Sequence, residues 1–335
     1  MLADRNRLRR AARPLSRTLG TSAAGILTLA LAVASVGVLE AQPAGVGDRL
    51  VSSWILVAVD KQAGSNAPVR ARSPHGLLVL DAGGHVFEFF SATPARAQGV
   101  PVPTGALLTL EEYGGFWGRY AVDASAGVMS FTAEDGVSPS VRGLSFSRSF
   151  ELDGDRLVIT STQEPQAQGD TRWTWQRFPV VENLSAATRE IVGFWRNVSE
   201  RRVNLATGAT ERESQRGPSV IVYTPAGFVG VHFPPRVREP FAKETVTAEE
   251  AQAALRGYIG YFGSLGVYPG EVSHNILAGV SPTSGAILRR YAKITGDELV
   301  VRLQSVAQAS TGEPPRTATE VVLKRLSGAE DMLPR

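Results

Sequence analysis

The amino-acid sequence predicts an all-β, mainly antiparallel protein made of two tandem β-barrels, with a short helix in at least the second. Three observations support this fold class. The 335-residue chain is longer than one compact core usually accommodates. Its apolar residues alternate in short runs bounded by Gly, Pro, Asp and Ser, which is the pattern of strands and turns. Several sequence landmarks also occur twice, in the same order.

The first 41 residues have the pattern of a secretory signal peptide. Arginines precede an apolar run from Ala23 to Val38, and small residues follow at Ala41 and Ala44. We therefore expect a periplasmic or secreted protein, cleaved after Ala41 and not attached to a membrane afterwards. An uncleaved anchor is the alternative, because the apolar run is just short of a comfortable membrane span.

Charge and composition exclude several functions. The chain has 35 basic and 32 acidic residues, but six arginines lie in the first 41 residues against Asp4 and Glu40. The remainder is nearly neutral, so it lacks the basic surface of a nucleic-acid binder. There are no cysteines and only four scattered histidines, so we expect no disulfide and no metal site. Nucleophile-elbow and phosphate-loop motifs are absent, and no cofactor is expected.

The repeat relates residues 50–180 to residues 191–326 across a polar linker, 181–190. Leu50 to Trp54 recurs as Ile191 to Trp195, Tyr113 to Val122 as Tyr258 to Val267, and Gly154 to Leu157 as Gly296 to Leu299. The landmarks are separated by 141 to 145 residues, and such regular spacing is hard to obtain by chance. Each copy is therefore predicted to be one domain.

Within each copy the pattern predicts short strands joined by tight turns. The clearest strands are Gly76 to Leu80, Val86 to Phe90, Phe146 to Leu152, Leu157 to Thr162, Val220 to Tyr223, Val229 to Phe233 and Leu299 to Gln304. Thr247 and Glu250 form a capping box that predicts a helix over Ala248 to Arg256. Closing such a sheet into a barrel removes its edges, and about eight strands can enclose one small ligand.

The second copy resembles the lipocalin-like domain family of bacterial and fungal genomes. The resemblance rests on Gly193-Phe194-Trp195, Tyr223 to Val229, Gly257 to Gly263, Val272-Ser273-His274, and Arg289-Arg290-Tyr291. The first copy has diverged further, with Ser52-Ser53-Trp54 at the opening and Phe131 in place of the histidine. The resemblance implies that Trp54 and Trp195 pack under Arg177 and Arg325 at the barrel bases. It leaves function open, because such barrels include carriers of apolar molecules and some enzymes.

His274 is the main candidate for chemistry. In its predicted strand it shares a face with Val272 and Ile276, so its imidazole is expected to line the lumen. There it could orient a ligand or transfer a proton, and no other catalytic residue is indicated. His274 aligns with Phe131, and His232 with Phe89, so buried packing of a planar ring is the alternative at both positions.

Four further residues complete the candidate ligand-binding set with His274 and His232. Arg148 and Arg290 lie on apolar strand faces, where a guanidinium is costly unless it is paired. Each is expected to bind an acidic group of a ligand or an interior carboxylate. Phe131, which aligns with His274, is expected to line the first lumen. Tyr258 lies near the barrel mouth if the helix covers it, with core packing as the alternative.

The function that fits these observations is binding of a small apolar or amphipathic molecule in a barrel cavity. One alternative is a cofactor-free isomerase, cyclase or hydrolase in the second barrel, with His274 as acid or base and Arg290 holding an anionic group. This alternative requires His274 and Arg290 to converge on one cavity. A second alternative is a structural pair of solid barrels.

Overall fold

The structure is a computed structural model that describes residues 45–62, 68–93, 104–161, 170–243, 245–282, 284–303 and 316–328. The predicted signal peptide lies outside the described residues. Within the ranges given, no helix has the length and apolar character needed to cross a bilayer.

The first barrel is a closed sheet of eight antiparallel strands with a ninth strand at one edge. It contains β1 (Ser52–Gln62), β2 (Val69–Arg70), β3 (Arg72–Leu80), β4 (His85–Thr93), β5 (Tyr113–Asp123), β6 (Val128–Gly136), β7 (Ser145–Asp153), β8 (Arg156–Ser161) and β9 (Asp170–Arg177). From β3 to β9 each strand pairs with the next, and β1 pairs with both β3 and β9 to close the barrel. Strand β2 pairs with the end of β1 at Asp60 and Lys61. Helix α1 (Val46–Leu50) precedes the sheet, and α2 (Gly105–Glu112) joins β4 to β5.

The second barrel repeats this topology. It contains β10 (Gly193–Asn204), β11 (Thr210–Ser214), β12 (Val220–Tyr223), β13 (Phe228–Phe233), β14 (Ile259–Tyr268), β15 (Glu271–Ser281), β16 (Ile287–Thr295), β17 (Glu298–Leu303) and β18 (Thr317–Arg325). Pairing of β10 with β18 closes it. Helix α3 (Ala186–Ile191) precedes this sheet, and α4 (Ala248–Leu255) joins β13 to β14. The predicted fold class, two tandem antiparallel barrels, is confirmed.

Local sequence signals explain the helix and the hairpins. Thr247 Oγ1 accepts a hydrogen bond from the Glu250 amide at 3.2 Å, and the Glu250 carboxylate accepts one from the Thr247 amide at 2.9 Å. This capping box confirms the predicted start of α4. The turns that join β7 to β8 and β16 to β17 contain Gly154 and Gly296 at φ of +54° and +63°. These left-handed conformations favour glycine.

Each barrel is closed at its base by a tryptophan under an arginine, as the resemblance implied. The Arg177 guanidinium lies 4.3 Å from the Trp54 ring, and that of Arg325 lies 4.0 Å from the Trp195 ring. Both indoles are fully buried. Each donates its N–H to a carbonyl of the preceding helix, that of Leu50 or Ile191.

The apolar side chains form three cores, one in each lumen and one shared between the barrels. The shared core joins Leu77, Val79, Phe87, Phe89 and Trp117 of the first copy to Phe194, Val220, Val222, Phe228, Tyr258 and Phe262 of the second. Strands β12 and β13 are therefore buried on both faces, which is why Val220–Tyr223 is continuously apolar.

One arginine adds polar contacts to this interface. Arg238 of the second copy is buried and donates hydrogen bonds to the Asp135 carboxylate at 2.9 Å and to the carbonyls of Gly136 and Val137. Charge-assisted bonds in a buried position have directional requirements, so they fix one orientation of the two barrels.

Candidate functional site

The strand register makes the two lumens comparable residue by residue. Arg148 pairs with Met129 across β6 and β7, and Arg290 pairs with Val272 across β15 and β16. Two positions further on, Phe131 opposes Phe146, as His274 opposes Leu288. The alignment read from the repeat therefore holds in three dimensions.

The first lumen is filled by an ion pair and aromatic rings. Arg148 Nη1 lies 2.7 Å from Glu88 Oε2, and the two side chains are 4% and 2% exposed. The interior carboxylate considered as one alternative for Arg148 is thus present. The guanidinium also lies 4.5 to 5.5 Å from the centroids of four rings, those of Phe116, Phe131, Phe146 and Trp173.

At four matching positions the second lumen has smaller side chains, whereas Tyr223 is larger than its counterpart Leu80. Register equates Phe146 with Leu288, Phe150 with Ala292, Trp173 with Val321, and Trp175 with Leu323. Its inward residues on β16 are also partly exposed, whereas Arg148 and Phe150 on β7 are buried. These four positions of the second lumen therefore hold less side-chain volume, and the inward residues of β16 are more exposed to solvent than Arg148 and Phe150 of β7.

A polar trio lies within this second lumen. His274 Nδ1 is 2.8 Å from Tyr261 Oη, and His274 Nε2 is 3.2 Å from Tyr223 Oη. All three side chains are buried, and Val272 and Ile276 flank the histidine in the lumen core. The predicted inward face of β15 is confirmed.

Burial sets the protonation of the trio. Desolvation, aided by the nearby charge of Arg290, lowers the pKa of His274 to about 3. Desolvation also raises the pKa of Tyr223 and of Tyr261. At neutral pH the imidazole is therefore neutral and both phenols keep their protons.

A neutral imidazole has one N–H donor and one acceptor nitrogen, which assigns different roles to the two tyrosines. One tyrosine donates its O–H to His274, and the other accepts the imidazole N–H. The accepting tyrosine keeps its own O–H for another partner. The trio can therefore offer both a hydrogen-bond donor and acceptor lone pairs to a molecule in the lumen.

Arg290 lies on the neighbouring strand of the same lumen, opposite Val272. Its charge acts on His274, Tyr223 and Tyr261, and its side chain on β16 is half-buried. Nη1 donates to the Arg289 carbonyl at 3.2 Å. Among the residues that the structure describes, no carboxylate forms an ion pair with Arg290.

His232 and Tyr258 occupy the interface between the barrels rather than a lumen. His232 Nδ1 lies 2.5 Å from Tyr258 Oη, and Nε2 lies 2.9 Å from the Glu88 carbonyl of the first barrel. A carbonyl only accepts, so Nε2 carries the hydrogen and Nδ1 accepts from the tyrosine. Burial lowers the pKa of His232 to about 4. Of the six predicted ligand-binding residues, only His274 and Arg290 thus lie in the second lumen.

Sequence reasoning missed Glu88 and the role of Tyr223. Glu88 lies between Val86 and Phe90 on an alternating strand, so it was a charge on an apolar face, like Arg148. Because both residues place a charge on an apolar face, the sequence could have predicted an ion pair between them. Tyr223 aligns with Leu80. Its phenol in an otherwise apolar strand of four residues was the signal that could have indicated a polar role.

A cleft of about 520 Å³ lies outside the lumen, beside the base of the second barrel. Its cationic residues are Arg196, Arg216, Arg236, Lys324 and Arg325. Three of these already serve the fold: Arg216 binds Glu200, Lys324 lies 3.3 Å from Asp297, and Arg325 packs on Trp195. The lumen trio is therefore the stronger candidate site. The described part of the chain contains no group of acidic, histidine or cysteine residues able to hold a metal ion.

Comparisons with known proteins agree with this architecture. Residues 193–326 match the family profile described as a lipocalin-like domain. No curated protein matches the chain.

Two solved structures are similar at low identity. One is a protein of unknown function from the DUF3598 family of Nostoc punctiforme, 9% identical, covering 82% of this chain and 96% of its own, at a TM-score of 0.20. The other is a mutant of the vaccine antigen transferrin binding protein B from Haemophilus parasuis, 6% identical, covering 81% and 75%, at a TM-score of 0.18. At such TM-scores the fold assignment rests on the strand pairing of the chain itself.

Proposed function

We propose that this protein, whose second barrel belongs to the lipocalin-like domain family, is exported and binds a small, largely apolar molecule in that barrel. The observation that carries the proposal is the difference in lumen filling. Where the first barrel has Phe150 and Trp173, the second has Ala292 and Val321. Small-molecule sites are typically apolar cavities with a few placed polar groups.

The walls and the trio supply those two components. The wall of the second lumen is largely aliphatic, with Trp195 and Phe233 as apolar rings and with Val231, Val272, Ile276, Leu299, Val301 and Leu323 among its buried members. His274 and its two tyrosines give this wall one polar point. A neutral hydrogen-bonding group suits ligand orientation better than general-base catalysis, because a base of pKa about 3 holds a proton weakly near neutral pH.

The test fills the second lumen with a side chain that the first lumen already contains. Ala292→Phe copies Phe150, and Lys293→Phe adds the same ring to the exposed face of the same strand. The probe is the neutral fluorophore N-phenyl-1-naphthylamine, titrated into protein recovered from the periplasm. The intact mass of that protein also tests for cleavage after Ala41.

We expect the wild type and Lys293→Phe to bind the probe alike. Ala292→Phe should weaken binding at least about tenfold, since a ring would occupy the space that the ligand needs. Far-ultraviolet circular dichroism verifies that each variant is folded. A folded Ala292→Phe that binds as the wild type does, or a wild type that binds no apolar probe, overturns the proposal.

A further inference from the structure

We infer that the ligand of the second barrel is an amphipathic anion whose acidic group pairs with Arg290. The inference rests on the proposed function and adds the chemical class of the ligand. The observation behind it is that Arg290 has no carboxylate partner among the described residues. The first barrel shows how this fold satisfies an arginine at that position, and the second barrel has the arginine without the carboxylate.

Strand register identifies the missing group. Glu88 pairs with Leu78 and Phe116 in the first sheet, and Val231 occupies the same place between Ile221 and Tyr261. Where the first lumen places a carboxylate against Arg148, the second therefore places an isopropyl group. A half-buried guanidinium without a counter-anion is unfavourable, and an acidic ligand would supply one.

Nearby acidic residues are committed to other arginines. Glu200 aligns with Val59 of the first lumen, since these residues pair with Val321 and Trp173. Its carboxylate lies 2.6 Å from Arg216.

The acidic groups of the neighbouring strands are occupied in the same way. Glu320 on β18 lies 2.8 Å from Arg302, and Glu271 on β15 lies 3.5 Å from Arg289. Within the described ranges, the chain thus provides Arg290 with no internal carboxylate, and the position remains available to a ligand.

The surroundings of Arg290 specify the rest of the molecule. A guanidinium binds carboxylates and phosphates through two parallel hydrogen bonds. The spare O–H of the trio lies in the same lumen and can donate to the same head group. Leu288, Ala292 and Ile294 share the inward face of β16 with Arg290, so an apolar body has an aliphatic wall beside the charged end.

The experiment compares ligands that differ only in the head group. Dodecanoate, dodecyl phosphate and 1-dodecanol are titrated at pH 7.5 into the wild type, Arg290→Met, Val231→Glu and Val231→Gln. Val231→Glu restores the carboxylate of the first barrel, and Val231→Gln is its neutral control of equal size.

We expect the wild type to bind at least one of the two anions about tenfold or more tightly than the alcohol. Whichever anion binds more tightly identifies the head group, and either result supports the inference. Arg290→Met should remove the preference for the anion over 1-dodecanol. Val231→Glu should lose the preference by occupying Arg290 internally, whereas Val231→Gln should retain it.

Contrary outcomes separate the two claims. If the wild type binds the alcohol as tightly as both anions, the inference fails and the proposed function stands. If Arg290→Met keeps the preference, the anion is recognised elsewhere and the inference fails. If none of the three compounds binds and no other apolar probe binds, the proposed function fails and the inference fails with it.

Discussion

The two lumens have the same strand pairing and an arginine at the same position, but the contacts of that arginine differ. In the first, Arg148 is sealed against Glu88 under aromatic rings. In the second, Arg290 lies half-buried beside a histidine and two tyrosines. The base contacts of tryptophan and arginine are the same in both copies. Different residues therefore determine the closure of the barrel and the content of its lumen.

The largest expected difference between the barrels concerns these arginines. Removing one partner of a buried ion pair strands the other charge, so Glu88→Val or Arg148→Met alone should lower the free energy of unfolding by about 3 to 5 kcal/mol. The double variant Glu88→Val/Arg148→Met should regain most of this loss, because apolar replacement of both partners leaves no buried charge.

Urea denaturation followed by circular dichroism measures these changes. Arg290→Met is the matched variant in the second barrel and should cost no more than about 1 kcal/mol, because it breaks no ion pair among the described residues. If Arg148→Met and Arg290→Met lower the free energy of unfolding equally, the proposed difference between the two arginines is wrong.

A second difference appears on acidification. His274 has a folded pKa of about 3, below its ordinary value of 6.5, whereas its counterpart is Phe131. Between these two pH values the unfolded chain binds the proton and the folded chain does not. Stability is therefore full above pH 6.5 and falls as the pH drops, by up to about 1.4 kcal/mol per unit for this histidine. His232, with a pKa of about 4, acts in the same direction.

His274→Phe copies the first barrel and should flatten this acid dependence, measured as urea midpoints from pH 7 to pH 4. Exposed His75, replaced by Phe, is the control and should preserve the wild-type slope. If His274→Phe and the wild type show parallel acid dependence, the imidazole does not titrate as its burial requires.

The smallest expected effect concerns the tyrosines of the trio. Tyr261→Phe and Tyr223→Phe each remove one hydrogen bond to a neutral imidazole and should cost about 1 kcal/mol. The 2.8 Å bond of Tyr261 should cost more than the 3.2 Å bond of Tyr223. Midpoint shifts at pH 7.5 measure both. If neither substitution shifts the urea midpoint, the hydrogen bonds of the trio are not formed in solution.

Sequence patterns predicted what depends on neighbours along the chain and within a strand. Alternation placed His274 inside the lumen, a capping box located α4, and the repeat aligned Arg148 with Arg290. For His232 the sequence predicted a ligand-binding or buried ring and could not identify its partner. Its partner is the carbonyl of Glu88, in the other copy and 144 residues away. Contacts between the barrels depend on how their two surfaces dock. The periodicity of the sequence does not predict this docking.

The shared core has a further consequence because both copies contribute equivalent positions to it. Leu77 and Val79 align with Val220 and Val222, and all four lie in that core. Equivalent helices α2 and α4 also contact each other. Burial of the same patch on both partners is the hallmark of a two-fold symmetric dimer, here formed within one chain. The linker makes the association of the barrels intramolecular, so it does not depend on protein concentration. One barrel can therefore change its lumen residues while the surface that it buries against the other barrel stays the same.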